Sequence, residues 1–97
     1  MNFQEKVFVK TRKIPKGKVT TYKKIARILG KLKAYRAIGN ALHKNTSKLV
    51  PCHRVIKFDG NVGGFKWGSR EKIRKLRTEG VKVKDGKIDL NKYLYEF

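Results

Sequence analysis

The stretch VTTYKKIARILGKLKAYRAIGNALHK, Val19 to Lys44, decides the fold. A threonine at position 20 or 21 can cap a helix whose apolar residues Ile25, Ala26 and Leu29 follow Tyr22 at helical spacing, and Gly30 is the stop. Four residues later Ala34 to Lys44 carries a second helical run with Ile38 and Leu42 on one side. The small residues Ala37, Gly39 and Ala41 would let something approach that helix closely. Helix, short glycine-containing turn, helix is the pattern of a helix-turn-helix, whose second helix enters a groove of DNA. By itself the pattern also fits a helical hairpin that binds nothing.

Charge narrows the choice. Twenty-six Lys and Arg against seven Asp and Glu give a net charge of +19 over 97 residues. Such a density repels itself unless a polyanion is near, and nucleic acid is the expected partner. A membrane-surface protein would gather its cations on one amphipathic helix, whereas here they run along the whole chain. A lysine-rich, heat-adapted surface would bring matching glutamates, which are scarce.

Ninety-seven residues make one domain, expected to bury roughly 60–68% of the surface its unfolded chain exposes. One cysteine cannot form an internal disulfide, and three Cys and His in total do not furnish a structural zinc site. No apolar run has the length of a signal peptide or a membrane span. An intracellular, cytoplasmic, DNA-associated monomer with no metal or cofactor is the expectation.

Outside the central pair, Phe3, Val7, Thr11 and Ile14 predict a first helix, broken by Pro15 and Gly17. Downstream, Arg54 to Phe58 reads as a strand, Asp59-Gly60 as a hairpin turn and Val62 to Phe65 as a glycine-rich return. Ser69 would cap a helix carrying Ile73, Leu76 and Arg77, ended by Gly80. VKVKDGKIDL predicts a second hairpin over the C-terminal residues 82–97, which finish in the tail Tyr93 to Phe97. The fold class is thus mainly α with small β elements.

The only cysteine, Cys52, stands between Pro51 and His53. A thiol becomes a nucleophile when a base or a positive field favours its thiolate, and His53, Arg54 and a cationic chain surround this one. Cysteine is equally a small buried hydrophobe. Adjacent residues of an extended segment point apart, so a Cys52–His53 contact needs a turn or a bridging water.

Several short motifs recur in order: FQEKV (3–7), IPKG (14–17), VTTY (19–22), YRAIGNAL (35–42), Asn45, PCHRV (51–55), GGF (63–65) and EG (79–80). In these, residues 3–81 resemble the DNA-binding and catalytic domain of the 6-O-alkylguanine-DNA alkyltransferases. The resemblance implies a winged helix-turn-helix and irreversible, single-turnover transfer of an alkyl group from guanine to Cys52, with no cofactor. It implies that His53 draws the thiol proton through a water, that Glu79 orients His53, and that Asn45 braces the turn exposing the thiol. Tyr22 would crowd the phosphate and donate toward the guanine ring. Arg36 would fill the gap left by the extruded base, with Thr21, Ala37, Gly39 and Asn40 beside it at the DNA. Val50, Val62, Gly63, Phe65, Lys66 and Trp67 would line the guanine pocket. The implied partner is double-stranded DNA carrying an alkylated guanine, which must leave the stack to meet a thiol.

Two departures stand out. The family's usual N-terminal domain has no counterpart in these residues, and Lys66-Trp67 replaces a small polar residue and a glycine. Alkyltransferase-like proteins of similar length bind alkylated DNA without repairing it and typically carry tryptophan where this chain has Cys52.

Overall fold

A computed structural model describes all 97 residues. Helix α1 (Phe3–Arg12) is followed by β1 (Thr20–Thr21), α2 (Tyr22–Ile28), α3 (Tyr35–His43), a 3-10 turn (Cys52–Arg54), β2 (Val55–Ile56), α4 (Ser69–Thr78) and α5 (Leu90–Tyr93). Asn2 caps α1, its side chain accepting from the Glu5 amide at 2.8 Å. Thr21 caps α2, accepting from the Lys24 amide at 3.0 Å. Gly30 ends that helix at φ +71°. The pair α2–α3 packs together and α1 crosses both, which is the helix-turn-helix arrangement expected.

The strand segment departs from expectation. Only Val55 and Ile56 of the predicted 54–58 strand are extended, and they pair in parallel with Thr20 and Thr21, not with the chain that follows. Because successive strand side chains face opposite ways, this short pair separates two cores. Val55 joins Val7, Ile14, Ile25, Ile38 and Leu42 on the helical side. Ile56 joins Val19, Val62, Leu76, Val81, Val83, Ile88 and Tyr93 on the other.

The predicted hairpins shrink to turns. The Lys57 amide donates to Asn61 O at 2.9 Å across Asp59-Gly60, and a single bridge, Lys84 to Lys87, spans Asp85-Gly86. Gly60 has φ +91°, and a Cβ there would lie 2.8 Å from the Ile88 carbonyl oxygen. That close approach seats the first turn on the C-terminal segment. Ser69 does not cap α4: Gly68 holds that position, and the Ser69 hydroxyl donates to Gly63 O at 3.1 Å. The predicted tail starts at the last residue of α5, Tyr93, and runs beside Val19, whose amide donates to Tyr93 O at 2.9 Å and whose carbonyl accepts from the Tyr95 amide at 2.8 Å.

No helix is long and apolar enough to cross a membrane. Leu76 is fully buried in the second core while Leu49 is 74% exposed. Leu76→Ala should therefore cost about 2–5 kcal/mol, and Leu49→Ala no more than about 0.5 kcal/mol. Urea unfolding of both variants checks this, and equal losses would contradict the packing described.

Candidate functional site

Cys52 sits where the chain turns sharply after Pro51. Its amide donates to Val50 O at 2.8 Å, and the Arg54 amide donates to Pro51 O at 3.0 Å, closing the 3-10 turn. The loop leading there is organised by one buried amide. Asn45 Nδ2 donates to Ser47 O at 3.0 Å and to Val50 O at 3.2 Å, while its Oδ1 accepts from the Ser47 amide at 3.0 Å. The same Nδ2 lies 3.8 Å from Cys52 Sγ. No other side chain could do this at similar size, since both donor and acceptor ends are used.

His53 and Glu79 come together across 26 residues of sequence: His53 Nε2 is 3.1 Å from Glu79 Oε2, close enough for an ion pair but not aligned as a hydrogen bond. Arg54 holds the carboxylate from the other side, donating through Nε to Oε1 at 2.9 Å and through Nη2 to Oε2 at 2.5 Å. Its Nη1 donates to Ile14 O at 2.7 Å. Burial pushes the His53 pKa below its ordinary value; the Glu79 carboxylate only partly opposes this, and the Arg54 and Lys75 charges add to it. His53 is accordingly neutral at pH 7 and available as a base. Burial would raise the Glu79 pKa, but the hydrogen bonds from Arg54 and the closeness of His53 outweigh it, so the carboxyl stays ionised.

A residue with no expected role completes the site. Lys72 is fully buried on α4, where Nζ donates to Gly64 O at 3.2 Å and to Tyr22 OH at 3.4 Å. Burial lowers its pKa to about 8, partly opposed by Cys52. Burial and then the charge of Cys52 raise the Tyr22 pKa, keeping the phenol protonated. Since Lys72 donates to the Tyr22 oxygen, the phenolic proton is free to point elsewhere. Lys72 stands four residues before Leu76, on the face of α4 that packs inward; that register was the available signal, and a lysine's polarity hid it.

Two cavities that share lining residues lie beside these groups. The inner one, about 40 Å³, is lined by Cys52, Tyr22, Gly39, Leu42, His43, Gly64, Phe65 and Lys66. The outer one, about 560 Å³, shares Tyr22, Gly39 and Gly64 and adds Tyr35, Arg36, Phe58, Gly63 and two lysines. On α3, Arg36, Ala37 and Asn40 are exposed. No cluster of three metal-ligating side chains is present.

Five expectations need correction. Thr21 is buried with its hydroxyl spent on the α2 cap, so its side chain is not displayed to DNA. Ala41 packs in the core, not on the exposed face of α3. The Val50 carbonyl already accepts from Asn45 and from the Cys52 amide, leaving no lone pair for a base. Val62 belongs to the second core. Trp67 is largely exposed and lines neither cavity, its ring edge-on to Phe65 at 5.3 Å. His43 is exposed and borders the inner cavity.

Residues 2–81 match the model for the 6-O-methylguanine DNA methyltransferase DNA-binding domain. A methylated-DNA–protein-cysteine methyltransferase of Saccharolobus islandicus is 49% identical over 82 residues, covering 84% of this chain and 52% of its own. A bifunctional methyltransferase/endonuclease of Picrophilus torridus is 46% identical over 83 residues, 28% of its length. The chain thus spans about half or less of these curated relatives. Among solved structures, Atl1 of S. pombe in complex with DNA containing O6-carboxymethylguanine has a TM-score of 0.88 at 32% identity, covering 98% of this chain and 95% of that one. The Mycobacterium tuberculosis OGT–DNA complex has a TM-score of 0.78 at 36% identity, covering 82% and 49%.

The lowered Lys72 pKa carries a stability signature. The native state holds fewer protons at this site than the unfolded chain between about pH 8 and an ordinary lysine value near 10.5. Stability of the parent should therefore rise with pH across that window, and relative to Lys72→Met the gain should be visible in the difference between their urea curves. A difference that stays flat from pH 7 to 10 would mean that Lys72 keeps an ordinary pKa.

Proposed function

The chain belongs to the 6-O-methylguanine DNA methyltransferase family through its DNA-binding domain, and from that premise we propose that it repairs 6-O-alkylguanine in duplex DNA by transferring the alkyl group to Cys52. The observation that supports this most is one group of side chains: a thiol that borders the inner cavity on an Asn45-braced turn, followed in sequence by a neutral histidine held against an ionised glutamate.

In this reading α3 lies in a groove of the duplex, presenting Arg36, Ala37 and Asn40. The alkylated guanine turns out of the stack and enters through the outer cavity, which is of ligand-pocket size. Its O6 substituent reaches the inner cavity beside Cys52, where Gly63, Phe65 and Lys66 form the approach. His53 takes the thiol proton, through a water because no direct hydrogen bond joins it to the sulfur, and Glu79 stabilises the imidazolium that results. The thiolate attacks the alkyl carbon; the S–C bond forms, the C–O6 bond breaks, and its electron pair passes to the guanine. Tyr22, whose proton Lys72 leaves free, donates to the ring and makes guanine a better leaving group. A thioether has no leaving path back, so each molecule acts once and no cofactor is consumed.

A second reading has its own support. The likeness to Atl1 covers nearly the whole of that chain, so the same fold could serve a DNA-damage sensor that transfers nothing. Intact-mass measurement after incubation with O6-methylguanine duplex separates the two. The parent should gain a methyl in place of the thiol proton, and Cys52→Ala should gain nothing while keeping its DNA affinity. An unmodified parent mass with tight binding would establish the sensor.

Arg36 tests the base-flipping step. If it only meets phosphate, Arg36→Ala slows transfer from duplex DNA and from the free alkylated base in step with affinity. As a wedge in the vacated stack it should slow duplex transfer on the order of tenfold or more at saturating protein, each ~1.4 kcal/mol of lost compensation giving a factor of ten. The free base should be nearly unaffected, and proportional losses on both substrates would remove the wedge.

A further inference from the structure

Helix α4 has two charged sides, and only one belongs to the site described above. Lys72 points into that site, its Nζ donating to Tyr22 OH and Gly64 O, and both of these residues line the outer cavity. Arg70 and Arg74 lie two residues either side of Lys72, and Arg77 five residues on. At about 100° per residue, all three stand roughly 140–160° round the helix from it. With Ile73 and Thr78 they line an open groove of about 660 Å³, which therefore faces away from the cavity.

The three arginines are exposed, and Arg70 makes no side-chain hydrogen bond or ion pair. Arg77 spends one arm, donating through Nη2 to Val83 O at 2.8 Å. Arg74 meets Glu71 in a largely exposed pair, of the kind that contributes little and exchanges readily for another anion. The Thr78 hydroxyl is used on Arg74 O. What the groove has left to offer is guanidinium N–H groups, whose forked geometry fits phosphate oxygens. It offers an apolar peptide side chain no anchor, since Ile73, its one hydrophobic residue, packs on the second core. The arginines instead form a row. At about 1.5 Å rise per residue it spans about 10 Å, close to three phosphate steps of one DNA strand at about 3.4 Å each. We infer that this outer face of α4 binds the phosphate backbone of a second nucleic-acid segment while α3 holds the first, so that one molecule bridges two duplexes. The inference rests on α3 as the face that docks on damaged DNA. The body measures 35 × 26 × 20 Å, and even its shortest dimension exceeds twice the Debye length of about 8 Å at physiological salt, so the two duplexes are screened from each other. Contacts to backbone alone read no sequence, so the second segment needs no lesion.

Co-capture of two duplexes tests this. Protein is bound to an unmodified duplex fixed on beads, at no more than one molecule per duplex, and a second, fluorescent duplex is titrated over it at about 50 mM salt. The parent should retain the second duplex, and about 200 mM salt should weaken that binding about ten- to fortyfold, as two or three neutralised phosphates require. Arg70→Gln/Arg77→Gln should weaken it at least about fivefold, while affinity for the first duplex changes by less than about twofold. If loss of the Arg77–Val83 bond unfolds that variant, Arg70→Glu makes the same change of two charges. Lys6→Gln/Arg12→Gln on α1 also removes two exposed charges and should leave the bridge intact. Equal losses in the α1 and α4 variants overturn the inference, as does a bridge whose mass by sedimentation holds two protein copies. A parent that keeps the first duplex but not the second overturns it alone. One that holds neither removes the docking reading, and this inference with it.

Discussion

One carboxylate, Glu79, holds this molecule together where its parts meet. It closes the C-terminal end of α4, accepts both arms of Arg54, and stands against His53. Arg54 in turn reaches the Ile14 carbonyl at the end of the first helical segment, so three distant pieces of chain converge on one ion cluster. In a chain of +19 this is more than a local pairing. Without Glu79, the buried guanidinium of Arg54 would lose its counter-charge, and removing one partner of a buried pair is far costlier than never having built it. The same cluster tunes the site: Glu79 draws the His53 pKa up, Arg54 and burial draw it down, and burial is the largest.

The rest of the site depends on how the chain divides its apolar residues. The two-residue parallel pair puts Val55 in one core and Ile56 in the other, and the turn that carries Cys52 precedes it directly. The thiol is thus fixed at the seam, with helices α1 to α3 on one side and α4 with the C-terminal segment on the other. Lys72 projects into that seam from α4. Its Nζ ties Tyr22 at the start of α2 to the backbone of Gly64, so the phenol that faces the cavity is held from both cores. Gly63, at φ +75°, bends the chain there; a Cβ would come within 3.1 Å of the Lys57 side chain.

Much of this was legible in the sequence, unevenly and for physical reasons. Helical periodicity placed α1 to α4, because that signal is local, and of the expected caps only the threonine of α2 is made. The Asn45, Cys52, His53 and Glu79 group was implied by the family resemblance and not by local signals, and the structure does bring these side chains together. Strand partnership was hidden, since alternation gives an element's type and not the segment 35 residues away that pairs with it. The partner of the C-terminal tail was likewise hidden, since its hydrogen bonds go to Val19, more than 70 residues away. Thr21 was misplaced because a cap and a DNA contact ask for the same hydroxyl, and only the cap is made here. Val50 and Val62 were assigned to a pocket when their burial serves the two cores.

Gly39 shows how closely the surface and the chemistry are joined. It lies on α3 between the exposed Arg36 and Asn40 and borders both cavities, as Tyr22 and Gly64 do. A Cβ at this position would sit 3.8 Å from the Tyr22 ring, an ordinary contact, so packing alone does not require glycine there. Its φ is helical, so backbone freedom does not require it either. What a side chain would take is space beside both cavities, since Gly39 borders each. The missing Cβ leaves that space open where α3, the phenol held by Lys72 and the wall of the cavity that holds the thiol lie side by side.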